Sequence, residues 1–78
     1  MKTEDAIELI ALEYERAIIK FPKFNSGHEG YAVIKEEFDE LWEEIKTKEQ
    51  NSDAIIQEVI QVGAMVLRFL CDLCDNED

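Results

Sequence analysis

Apolar residues recur at helical spacing along nearly the whole chain. Between residues 3 and 20 they fall at Ala6, Ile7, Ile10, Tyr14, Ala17, Ile18 and Phe21, one stripe of an amphipathic helix, with Glu8, Glu15 and Arg16 elsewhere on the wheel. Pro22 cannot continue that helix and pushes Phe21 toward extended geometry, so "KFPKFNSG" is a short connection. The "SGHE" that follows has the form of a capping box, with Ser26 facing the amide of Glu29 and Glu29 reaching back. A second helix runs from about Gly27 to Thr47 with Tyr31, Ile34, Phe38, Leu41, Trp42 and Ile45 on one face. After the polar break "KEQNSD", where Asn51 or Ser52 can cap, a third helix runs from Asp53 to about Leu73.

The third helix is apolar almost all round, from Ile55 and Ile56 to Phe69 and Leu70. Such a helix is covered on several sides, and Gly63 and Ala64 permit a close approach. The tail "DNED" is expected to fray. No strand pattern, repeat or low-complexity run is present. The sequence therefore predicts one all-α domain over residues 1–78: three helices, the second and third antiparallel, completing a four-helix-type bundle on oligomerisation.

Size sharpens that expectation. A 78-residue chain that is 46% hydrophobic has more apolar surface than three helices hide in one protomer. A homodimer or homotetramer is the expected outlet. The net charge of −11 argues against nucleic-acid and anionic-membrane partners, and makes a cation partner more plausible. No uninterrupted apolar run reaches the length of a bilayer span, and "MKTEDAIELIA" places acids where a signal peptide has its apolar core. The expected location is cytoplasmic. Cys71 and Cys74 in "CDLC" lack the further ligands of a zinc site and read as reduced thiols ending a helix.

Charge is not spread evenly. "HEGYAVIKEEFDELWEEIK" holds seven carboxylates. At about 100° per residue, Glu36, Asp39 and Glu43 point away from the apolar centre at Phe38 and Ile45, whereas Glu37, Glu40 and Glu44 border it. Glu58 of the third helix lies inside an apolar arc between Met65 and Phe69. An ionised carboxylate there needs a partner. Residues three apart share a helix face, so Glu37 with Glu40 and Glu58 with Gln61 form a candidate oxygen set for Mg²⁺, with Mn²⁺ as a substitute. His28 reads as a surface or turn residue, and Lys20, Lys35 and Arg68 as ion-pairing residues with phosphate contact the alternative.

In these two helices the chain resembles the MazG-like all-α nucleoside triphosphate pyrophosphohydrolases, in particular the short phage or prophage type. Their E-E-x-x-E is matched in full by Glu36-Glu37-Phe38-Asp39-Glu40, and "EVIQ", Glu58 to Gln61, occupies the place of a second motif, E-x-x-D. The resemblance implies that Glu37, Glu40 and Glu58 hold magnesium and that Glu36 is an outer group or orients water. It also implies cleavage of nucleoside triphosphates to the monophosphate and pyrophosphate, with Glu36 and Glu37 as the catalytic acids. Gln61 departs from the motif's aspartate and removes one unit of charge from the site. Two alternatives follow: a nucleotide- or metal-binding module without turnover, and a purely structural acidic module docking on a basic partner.

Overall fold

The computed structural model of the protein describes residues 1–74, so the tail expected to fray lies outside the described residues. Three helices form, α1 (Thr3–Lys20), α2 (Gly27–Ile45) and α3 (Ser52–Leu73), with no strand among the described residues. Local chemistry sets their ends. Phe21 adopts φ −125°, ψ 146° and stops α1 ahead of Pro22. Ser26 Oγ accepts from the Glu29 amide at 3.1 Å, but the Glu29 carboxylate bonds the amide of Asn25 and not that of Ser26. The capping box is thus shifted by one residue on its return arm. Asn51 caps α3 through the amide of Ala54 at 3.1 Å.

α3 packs against both other helices, and α1 and α2 make no close backbone approach to each other among the described residues. The protomer is elongated, 45 × 28 × 19 Å. Its core is small: Ala17, Ala64 and Met65, flanked by Tyr14, Phe24, Val33 and Ile34. A Cβ added at Gly63 would come within 2.9 Å of the Ile10 side chain, so the small residues of mid-α3 admit α1 of the same chain.

The α1–α2 connection is tied to α3 by Arg68. Its guanidinium, nearly fully buried, donates to the carbonyls of Ala17 (3.1 Å), Phe21 (2.7 Å) and Pro22 (2.7 Å), and to Asp72 Oδ2 at 2.9 Å. Asp72 in turn accepts from the Phe24 amide at 3.0 Å, and the Phe24 ring lies 5.5 Å from the guanidinium carbon. A cation at the end of α1 meets the negative pole of that helix, satisfies the carbonyls of Phe21 and Pro22 beyond it, and adds a second bond to the Ala17 carbonyl, which also accepts from the Phe21 amide at 2.9 Å. These bonds occupy Arg68, so it takes the ion-pairing role and not the phosphate-contact alternative.

One expectation about α2 is corrected. The apolar spacing centres its inner face on Phe38 and Ile45, yet Phe38 (55% exposed) and Trp42 (57%) face outward, with Tyr31 and Ile45 also exposed. Ile34 and Leu41 of the expected face do turn inward, joined by Gly30, Val33 and Glu37. Gly30 explains the rotation. A Cβ there would stand 2.6 Å from the Phe69 ring and 3.1 Å from Leu73, so α2 docks on its glycine edge, closer than any other residue permits. α3 keeps an exposed apolar strip that includes Val59, Val66 and Leu70. By length and composition α3 could also cross a bilayer, with a mean hydropathy of 1.6. The central helix of a bundle meets the same test, and the two charges near the end of α3 are bonded to the α1–α2 connection.

Replacing Arg68 by Leu leaves Asp72 buried without its counter-ion. The expected loss is about 3–5 kcal/mol of unfolding free energy, read from urea denaturation followed by circular dichroism.

Candidate metal centre

Glu37 and Glu40 lie one turn apart on α2, and Glu58 lies on the facing turn of α3. Close docking at Gly30 brings the two helices near enough that one carboxylate oxygen from each of Glu37, Glu40 and Glu58 falls within 4.8 Å of the others. Glu37 and Glu58 are half-buried and Glu40 is exposed. These residues, with Gln57 and Gln61, line a cavity of about 290 Å³. A second cavity of about 350 Å³ shares Glu37 and Gln61 as walls; most of its exposed wall is apolar, from residues such as Phe21, Phe24 and Met65, and Glu13, Arg16 and Arg68 also line it.

Crowding shows in the titration of the acids. Burial first, then the charges of Glu40 and Glu58 and a carboxyl–carboxyl hydrogen bond with Glu40, push Glu37 up to about 7. Burial, then Glu40 and Glu44, push Glu58 upward as well. Carboxylates at this spacing relieve their repulsion by holding a proton or by sharing a cation. A hard divalent ion wants such oxygens. Three carboxylates from two helices, with a side-chain amide beside them, are a donor set of that type.

The candidate residues divide. Glu37, Glu40 and Glu58 come together. Gln61 borders the same cavity, but its Nε2 donates at 2.9 Å to Glu13 Oε2 on α1. Glu36 is exposed, outside the trio, and lines the apolar cavity. Asp39 and Glu43 pair with Lys35 and Lys46, as solvated acids do. Lys20 lies 5.6 Å from the centre of the Phe21 ring, and His28 is exposed in the first turn of α2. Tyr31 and Trp42, expected in the core, are exposed. Cys71 and Cys74 are exposed and not joined by a disulfide, and the Cys71 side chain hydrogen-bonds Tyr14.

Glu13, Arg16 and Gln57 were not among the expected site residues. Glu13 carries a readable signal, because it lies on the same stripe as Ile10 and Ala17, where an acid interrupts an apolar face. Arg16 pairs with it at 2.7 Å and holds its carboxyl below the usual range. Nothing in the sequence distinguishes Gln57 from any other polar residue of α3.

No family model, curated protein or solved structure matches the chain.

Glu37 is an ordinary carboxyl of about 4.5 when unfolded and titrates at about 7 when folded. The folded state therefore binds the extra proton, and the apoprotein loses stability as pH rises between these values. Glu37→Gln is expected to raise the apo melting temperature near pH 8 and leave it nearly unchanged near pH 5. In the wild type, Mg²⁺ should raise the melting temperature more near pH 8 than near pH 5, and in Glu37→Gln that increment should be lost at both. Thermal melts at the two pH values check this.

Proposed function

We propose that the protein is a Mg²⁺-dependent nucleoside triphosphate pyrophosphohydrolase of the MazG-like helical class, cytoplasmic, releasing the nucleoside monophosphate and pyrophosphate. The observation that carries the reading is the convergence of Glu37, Glu40 and Glu58 within 4.8 Å beside an apolar cavity large enough for a nucleobase. The metal, when bound, neutralises phosphate charge and lowers the pKa of a coordinated water. Glu37, Glu40 and Glu58 would hold it, with the Gln61 carbonyl as a neutral fourth donor. Glu36, on the wall of the adjoining cavity, would orient the attacking water or accept its proton. The aromatic and aliphatic side chains of that cavity would receive the base and exclude water from it.

α2 and α3 run antiparallel in this reading. Gly30 near the start of α2 meets Phe69 and Leu73 near the end of α3, and Glu37 meets Glu58 further along. The exposed apolar residues of α2 and α3, Phe38, Trp42, Val59 and Val66 among them, support pairing of two copies into a four-helix-type bundle, as a dimer or a dimer of dimers. Trp42→Lys together with Phe38→Lys is expected to shift the sedimentation coefficient to that of a monomer while helix content is kept.

One observation favours a second reading, a nucleotide- or metal-binding module without turnover. Gln61 gives the site a neutral amide, and that amide is already bonded to Glu13. Catalysis decides between the two. The purified protein with Mg²⁺ or Mn²⁺ should release pyrophosphate from at least one common or modified (deoxy)nucleoside triphosphate. Glu58→Gln should abolish that release and weaken Mn²⁺ binding by about 10- to 100-fold. Binding without release selects the module; neither binding nor release across the whole panel removes both readings.

A further inference from the structure

Gln61 borders both cavities, the acidic one with Glu37, Glu40 and Glu58 and the apolar one with Glu13 and Arg16. A side-chain amide can present either its oxygen or its nitrogen to such a place, and only the oxygen serves a cation. What chooses between them is the partner on the far side. Glu13 is that partner. Its Oε2 accepts from Gln61 Nε2 at 2.9 Å and from Arg16 Nη2 at 2.7 Å, while its Oε1 accepts from Arg16 Nε at 3.0 Å. The two bonds from Arg16 hold the carboxylate in one orientation. The Glu13 side chain is only 15% exposed, so water competes weakly for the bond to Gln61.

An ionised carboxylate accepts hydrogen bonds and cannot donate them. The NH₂ of Gln61 must therefore face Glu13, leaving the carbonyl oxygen as the atom free to turn to the acidic pocket. We infer that Glu13 on α1 is a positioning residue of the metal site, which acts through Gln61 by fixing the carbonyl of that amide as a cation ligand, with Arg16 holding Glu13 in place. The inference rests on the metal-binding reading above and adds α1 to a site otherwise built from α2 and α3. It also gives the neutral residue at position 61 a defined role. With its amide turned round, the same side chain would point N–H donors at the cation and oppose binding.

Mn²⁺ alone, titrated calorimetrically into the full chain, is the probe. Glu13→Ala and Gln61→Ala are each expected to weaken Mn²⁺ about tenfold, with the double variant no weaker than Gln61→Ala. Glu13→Gln can donate as well as accept, so it no longer fixes the Gln61 amide and is expected to weaken Mn²⁺ about threefold to tenfold, an effect lost when Gln61 is Ala. Circular dichroism melts accompany each variant, and Glu13→Gln provides the comparison if Glu13→Ala fails to fold. Wild-type affinity in Glu13→Ala, alongside a loss in Glu58→Gln, would overturn the inference and leave the metal reading standing. An equal loss from Glu13→Ala or Glu13→Gln with and without Gln61 would show that charge acts and not orientation, and would also overturn it. No Mn²⁺ binding by the wild type removes the metal reading and this inference together.

Discussion

A single buried guanidinium holds the architecture together. Arg68 bonds the Ala17 carbonyl in the last turn of α1, the carbonyls of Phe21 and Pro22 after it and Asp72 of its own helix, while Asp72 secures the amide of Phe24. Burying a charge is tolerable only when each of its partners is met, and here one ion pair and three carbonyls meet it. The contact fixes where α1 stops and where the chain turns toward α2. With so few fully buried apolar side chains, hydrophobic packing alone would leave that turn loosely specified.

Against this scaffold the acidic centre is a deliberate strain. Two unit charges about 4 Å apart repel by roughly 1 kcal/mol in water and roughly 4 kcal/mol at the effective dielectric of a protein surface. A domain of this size has a total stability of only about 4–12 kcal/mol. Three ionised carboxylates at the observed spacing would consume a large share of it, a cost that a proton or a cation relieves. The high titration point of Glu37 is the proton solution. A divalent ion offers the other, and the pocket has the oxygen donors for it.

Much of this was legible in the sequence, because it is local. The three helices, the stop at Phe21 and Pro22, the Ser26 and Asn51 caps, and the half-buried placing of Glu37 and Glu58 follow from spacing and side-chain chemistry within a turn or two. The facing side of α2 was not legible. Periodicity weighs apolar bulk and put Phe38 and Ile45 at the centre, whereas docking was decided by the absence of a side chain at Gly30. Nor were the roles of Arg68 and Glu13, each of which depends on a partner more than forty residues away. A wheel diagram shows what a helix has on its surface, and says little about which long-range polar group will reach it.

Gly30 has one more consequence. Its missing methyl group lets α2 settle against the Phe69 ring, and that same settling presses the acids of the two helices together two turns further along. The electrostatic character of the pocket is thus under steric control from a distance. A single added carbon at position 30 would act as a wedge at one end of the helix pair, spreading the carboxylates at the other and returning them toward independent titration, with no acid altered.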